Sequence, residues 1–215
     1  NILVVGLGGV GGVAVEMLCR AGIGNITIAD GDVVEESNRN RQIPALMSTT
    51  GKPKAEVMAD RLRDINPEIN LTVVNEFMRD RKTTELIKSR SFDYVVDAID
   101  TLSPKVYLIY ECLQEDLNIV SSMGAGGKID PSRVEIADIS ESYNCKLAKV
   151  IRKRLSKLGV KTGVKVVFSS EKIDESAVQE EEGQNKKSTV GTISYMPSVF
   201  GCFVASVVIR DLTDR

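Results

Sequence analysis

The sequence predicts an α/β protein built on a doubly wound, mainly parallel sheet with a smaller C-terminal extension, and three observations carry that prediction. Short apolar runs of strand length alternate with stretches that have helical apolar spacing, the pattern of stacked βαβ units. The first strand-like run, Ile2 to Val5, leads straight into a turn holding Gly6, Gly8, Gly9, Gly11 and Gly12. At 215 residues the chain suits one domain with a substantial core. We expect a first half over residues 1–122 and a C-terminal half over residues 123–215 within that domain.

Ile2 to Val5 reads as a strand buried on both faces. The glycine turn follows, then a helix from Val13 to Ala21 and a second strand from Asn25 to Ala29 that ends in Asp30. Residues 33–53 are polar, contain two prolines and lack periodic apolar positions, so they read as a loop. Val57, Met58, Leu62 and Ile65 form the stripe of a helix from Lys54 to Asn66, which Pro67 ends. A strand over Leu71 to Asn75, a short helix over Thr83 to Ser89 and a buried strand over Tyr94 to Ala98 come next. Pro104 to Glu115 reads as a helix and Ile119 to Ser122 as a strand.

The second half opens on a glycine turn near Met123, followed by a strand from Arg133 to Asp138. A helix over Cys145 to Leu158 presents Leu147, Val150, Ile151, Leu155 and Leu158 to the core, and Lys165 to Ser169 reads as a strand. Glu171 to Thr189 is charged and poor in apolar residues, which predicts a mobile loop. Ser198 to Leu212 is a final apolar helix, buried or at a subunit contact. The surrounding apolar stretch, Tyr195 to Ile209, is too short and too rich in serine and glycine to cross a bilayer, so no membrane partner is expected.

Composition removes several chemistries. There is no histidine, which excludes a histidine base, histidine metal ligands and a Ser–His or Cys–His pair. Four scattered cysteines, Cys19, Cys112, Cys145 and Cys202, form no C-x-x-C, so neither zinc nor a disulfide framework is expected. That cysteine usage and the lack of a visible signal segment suit a cytoplasmic protein. Net charge is −2, so the chain as a whole is no polycation.

Strand, glycine turn, helix, strand and acid, in that order, make the Rossmann-like mononucleotide fingerprint. Asp30 lies 19 residues past Gly11, where a carboxylate accepts bonds from ribose hydroxyls. Helix–strand packing alone is the other use for such glycines. An acid closing the second strand suits NAD and ATP equally. The loop Ser37-Asn38-Arg39-Asn40-Arg41-Gln42 is either a solvated polar loop or an arginine clamp on phosphates, and ATP chemistry needs such a clamp where NAD chemistry does not. Lys54, at a helix start where the dipole disfavours it, points to an anionic ligand. Asp100 sits past a buried strand at the edge where ligands bind, as a Mg²⁺ holder or as a helix cap.

Together these stretches resemble the ubiquitin-activating-enzyme-like superfamily, the ThiF/MoeB/HesA group. G-L-G-G-V-G, Asp30-x-Asp32, Asn38 with Arg41-Gln42, Gly51-x-x-Lys54 and Asp100 carry the resemblance. Within the group, NRQIPAL, GKPKAEVMADRLRDINPE, DYVVDAIDTLSPK and GAGGKIDPSRVEIADIS resemble the tRNA threonylcarbamoyladenosine dehydratase branch. That resemblance implies ATP-dependent ring closure on position 37 of tRNA through an acyl-adenylate, in a homodimer. It assigns Gly8, Gly9 and Gly11 to the phosphate turn, Asp30 and Asp32 to the nucleotide, and Asn38, Arg41, Gln42 and Lys54 to phosphates. Arg41, Lys54 and Asp100 become the catalytic candidates, with Asp100 near Mg²⁺. The family also implies an arginine from ahead of the first strand, a link to a cysteine-desulfurase system and room for a monovalent cation. Some relatives carry a cysteine shortly before the last helix where Ser188 and Thr189 stand here, so no covalent cysteine intermediate is expected.

Between Lys146 and Lys165 eight positive charges occur with no acid among them. Lys149, Arg152, Lys153, Arg154 and Lys157 on the helix are therefore tRNA-binding candidates, against the alternative of a solvated amphipathic face. Three other functions compete, one of them a non-catalytic nucleotide-binding module. An activator of a ubiquitin-like sulfur carrier would turn over with a small protein ending in Gly-Gly, yet such members commonly carry two C-x-x-C pairs. An NAD-dependent oxidoreductase would leave Arg41 and Lys54 without work.

Overall fold

In a computed structural model of the chain, residues 1–173, 178–180 and 188–214 are described. Seven strands form one sheet: β1 (Ile2–Val5), β2 (Asn25–Ala29), β3 (Asn70–Val74), β4 (Tyr94–Asp97), β5 (Ile119–Ser122), β6 (Val134–Asp138) and β7 (Lys165–Ser169). Their order is β3-β2-β1-β4-β5-β7-β6, and every pairing is parallel except β6 with β7. The α/β sheet expected from the sequence is present, with its antiparallel member at one edge. The chain winds outward from β1 to β3, then returns to lay β4 on the other side of β1. That reversal opens a crevice at the carboxyl ends of β1 and β4, where Val5 pairs with both Ala29 and Asp97.

Helices cover both faces, so β1 and β4 are buried throughout. α1 (Gly11–Arg20), α2 (Lys54–Ile65) and α6 (Tyr195–Leu212) pack one face, burying Ile2 and Val4 with Leu18, Met58 and Phe200. α3 (Arg81–Lys88), α4 (Leu102–Gln114) and α5 (Lys146–Lys157) pack the other, burying Leu3 and Val5 with Ile87, Leu108 and Ile151. Alternate residues of β1 thus feed two separate cores, the period-2 rule applied to a strand with no exposed face.

Four expectations need correction. α5 buries Ala148, Ile151 and Leu155, but Val150 is 40% and Leu158 48% exposed. The first falls off the i, i+4 stripe and the second lies past the last turn. α6 starts at Tyr195 rather than Ser198, because Pro197 occupies the first turn, where a missing N–H costs nothing. At 18 residues α6 also has the length and apolar composition of a membrane span. Here it is a core helix: Phe200, Val204 and Val208 are fully buried, and a Cβ on Gly201 would lie 2.7 Å from that of Val13. Finally, the segment expected to be a mobile loop contains β8 (Val178–Glu180) paired antiparallel with β9 (Ser188–Val190), since backbone pairing needs no apolar content. The rest of that segment, residues 174–177 and 181–187, lies outside the described residues, as do the side chains of Ser188 and Thr189.

Residues 33–53 form the expected loop, and its ends are closed on each other. Short 3-10 turns occur at Glu36–Asn38 and Met47–Thr49. The ends are tied by N–H···O bonds from Val34 to Lys52 (2.8 Å), from Gly51 to Val34 (2.8 Å) and from Lys54 to Asp32 (2.9 Å). This tie sets α2, and with it Lys54, against the end of β2.

Candidate nucleotide site

The crevice between β1 and β4 encloses a cleft of about 320 Å³. Gly6 and Gly8 from the turn, Asp30 to Asp32 from the end of β2, Gln42, Lys54, Glu76 to Arg79 after β3, and Ala98 to Thr101 after β4 line it. The glycines divide their work. Gly6 has φ +88°, and a Cβ there would sit 2.7 Å from the Ala98 carbonyl oxygen. A Cβ on Gly11 would sit 1.8 Å from the Gly6 oxygen, so this pair allows strand, turn and α1 to close on one another. Gly9 packs on Pro197 of α6. Of Gly8, Gly9 and Gly11, only Gly8 opens on the cleft, because the other two are spent on packing. No side chain caps the start of α1 and its first turn holds no acid, which leaves the positive end of the helix available to an anion.

Asp30 is 9% exposed, and its carboxylate accepts N–H bonds from Leu7 (2.6 Å) and Asp32 (2.8 Å). Burial pushes this carboxyl up from its ordinary value, opposed by those two bonds and by the Lys54 ammonium. Each oxygen holds one donor and keeps acceptor capacity for a hydroxyl. Asp32 forms an ion pair with Lys54 at 3.0 Å, in which the lysine side chain is 7% exposed. The anion expected opposite Lys54 is thus already present in the chain as Asp32, and the ammonium lines the cleft beside it.

Gln42 stands next to Gly8, and its buried Oε1 has no hydrogen-bond partner among the described residues. Its amide Nε2 is the atom nearest Gly8, so the N–H₂ group stands beside the glycine turn as a donor.

Besides Gly9 and Gly11, two assigned residues, Asn38 and Arg41, are not on the cleft wall. Asn38 is buried, accepts the Glu35 N–H through Oδ1 (3.1 Å), and its own carbonyl accepts the N–H groups of Arg41 (3.1 Å) and Gln42 (3.0 Å). It shapes the turn that carries Gln42 inward. Arg41 faces its own loop, donating to the Ser37 carbonyl (2.8 Å) and to Asn40 Oδ1 (2.7 Å). The turn that follows the Glu36–Asn38 3-10 helix carries the two neighbours Arg41 and Gln42 to different sides.

Asp100 is exposed and lines the cleft, while Thr101 is the N-cap of α4, so the carboxylate is not used as that cap. Sequence reasoning missed Glu76 to Arg79, Ile99, Thr101 and Pro104. Phe77, Met78 and Ile99 supply the apolar part of the wall. Their signal was position alone: they follow the ends of β3 and β4, the edge at which such sheets bind ligands. Among the described residues no group of three or more His, Cys, Asp or Glu side chains could hold a metal ion.

A second concavity, about 340 Å³, lies at the start of α5 and is lined by Lys146, Lys149, Arg152 and Lys172. Arg152 is committed structurally, donating to the carbonyls of Ile139 (3.1 Å) and Ser142 (2.6 Å). Arg154 donates to Ser103 Oγ at 2.9 Å and ties α5 to the start of α4. Lys149, Lys153 and Lys157 are exposed.

The model of the ThiF family matches residues 1–215. The tRNA threonylcarbamoyladenosine dehydratase of Bacillus subtilis is 41% identical over 220 residues, covering 99% of this chain and 86% of that protein. A crystal structure of the Escherichia coli tRNA N6-threonylcarbamoyladenosine dehydratase in complex with ATP superposes with a TM-score of 0.89 at 38% identity, covering 99% of this chain and 85% of the other. The molybdopterin-synthase adenylyltransferase of Escherichia coli is 38% identical, but only over 121 residues, 56% of this chain and 48% of that protein. Since the family match runs from the first residue to the last, this chain belongs to the ThiF family.

Proposed function

We propose that this chain catalyses the ATP-dependent dehydration of threonylcarbamoyladenosine at position 37 of tRNA to its cyclic form. The observation that carries this is the extent of similarity. Relatives named for that activity match nearly end to end, both β6–α5–β7 and α6 included, whereas the carrier-protein adenylyltransferase matches over about half of the chain.

The cleft suits this role. Asp30 holds ribose hydroxyls, and Gly8 with the uncapped start of α1 receives phosphate. Lys54 and Gln42 supply donors where negative charge builds up. ATP converts the carboxylate into an acyl-adenylate with release of pyrophosphate. Ring closure then expels AMP, which carries off the carboxylate oxygen, so the nucleoside ends one water lighter. Mg²⁺ takes one or two carboxylates beside substrate phosphates, and Asp100, exposed on the cleft wall, would be one of them. The nucleophile belongs to the same modified nucleoside, so proximity supplies much of the rate and no histidine or cysteine nucleophile is needed. The exposed strip of α6 around Cys202 suits the contact of a homodimer. The test is AMP release from ATP with and without tRNA bearing the modification. Release that depends on that tRNA, loss of one water from the nucleoside and sedimentation as two chains are expected. AMP release driven instead by a small protein ending in Gly-Gly would replace this function by carrier activation.

The basic face of α5 is the proposed tRNA contact, with Lys149, Lys153 and Lys157 as the phosphate-facing residues and Arg152 and Arg154 holding the helix in place. Changing the three lysines together to glutamate is expected to weaken tRNA binding at least 30-fold, to flatten its salt dependence and to leave ATP binding unchanged. Filter binding at two salt concentrations reads this; an unchanged tRNA affinity would remove α5 from the interface.

A further inference from the structure

The structure assigns a positioning role to Lys105 and Asp97, a buried ion pair that grips both polar groups of Ile99 and so sets Asp100 against the cleft. The assignment rests on the ATP-dependent function proposed above. Neither member of the pair reaches solvent: Asp97 and Lys105 are both 0% exposed, with Lys105 Nζ 2.9 Å from Asp97 Oδ2. Asp97 Oδ1 accepts the N–H of Ile99 at 3.1 Å, and Lys105 Nζ donates to the carbonyl of the same residue at 2.9 Å. Ser121 Oγ on β5 donates to Asp97 Oδ2 at 2.6 Å, so that oxygen is held by both Lys105 and Ser121.

A buried ion pair is a poor way to add stability, because removing two charges from water offsets most of their attraction and an apolar pair of similar volume often does as well. What an apolar pair cannot do is hold a peptide at both ends. Here the donor and the acceptor of one residue are each taken by a fixed charge, which locks the two peptide planes flanking Ile99. The next residue is Asp100, followed by Thr101, and all three line the cleft. The strand before them is held as well: the Ala98 N–H donates to the Val5 carbonyl at 2.9 Å, and the Gly6 backbone comes so near the Ala98 carbonyl that a Cβ there would lie 2.7 Å from its oxygen. Asp100 is exposed and its direction is therefore set from below, by the pair, rather than by neighbours in the cleft.

Lys105→Met alone leaves a buried unpaired carboxylate and tests folding more than function. The Asp97→Asn/Lys105→Met double variant removes both charges, keeps an acceptor for the Ile99 N–H and releases its carbonyl. In that variant, amide exchange over residues 98–102 of the nucleotide-free protein is expected to quicken at least tenfold, with β1 and β5 unchanged. The kcat for AMP formation is expected to fall about 30-fold with KM for ATP within threefold, and the loss should be absent when Asp100→Asn is already in place, because both changes disable one group. Unaltered exchange over 98–102 would overturn the grip. Losses that multiply in the triple variant would overturn the action through Asp100 and leave the pair as core structure. Exchange is read without turnover, so a native chain that makes no AMP would count against the proposed function and not against the grip.

Discussion

Replacing Asp30 by asparagine is expected to weaken ATP binding about 100-fold, roughly 2.7 kcal/mol, as read by calorimetry. The carboxylate serves two backbone donors, Leu7 and Asp32, at 2.6 and 2.8 Å. An amide has one oxygen, so one of these N–H groups must face an N–H₂ group or lose its partner in a nearly buried site, which costs about 1–3 kcal/mol. The ribose loses a charged acceptor at the same time. 2′-Deoxy-ATP separates the two effects. The native chain should bind it about tenfold more weakly than ATP, while the Asp30→Asn variant should discriminate much less. Equal discrimination in both proteins would move the ribose away from Asp30. Because burial already holds this carboxyl above the usual aspartate range, ATP affinity should fall on acidification before an ordinary aspartate would begin to protonate.

The second large effect is expected at Lys54. Lys54→Met keeps the apolar stem and removes the ammonium, and AMP formation should drop by about 10²–10³-fold while ATP affinity changes far less. The side chain is 7% exposed and held at 3.0 Å by Asp32, so its position is fixed before any ligand arrives. A fixed charge needs little reorganisation when charge shifts on the phosphates. The same ion pair offers a purely structural explanation, which Asp32→Asn addresses. If Lys54 acts on phosphate, Asp32→Asn should retain most of the activity that Lys54→Met loses, with thermal midpoints monitored for both. Equal losses in the two variants would make the pair a fastening for α2 and not a catalytic element.

Much of this site was legible in the residues because its signals are local. The glycine turn, Asp30 and Lys54 each declare themselves through a neighbouring strand end or helix start, and the α/β class follows from alternating βα units. Asn38 and Arg41 show where a motif stops being informative. They lie within four residues of Gln42, yet only Gln42 reaches the cleft wall. Whether a polar side chain faces a ligand or its own loop depends on a rotation that sequence spacing does not encode.

By itself, then, the sequence determined the α/β class, the glycine turn and its acid, the absence of histidine chemistry and the charge of α5, because all of these are properties of short segments. Only the tertiary structure decided that Gly9 and Gly11 serve packing, that Arg152 is spent on the carbonyls of Ile139 and Ser142, that α6 is a core helix and that Asp97 meets Lys105 under the cleft. The reason is the same in each case. These roles depend on which residue from a distant segment lies within a few ångströms, and that is fixed when seven strands and their helices pack together.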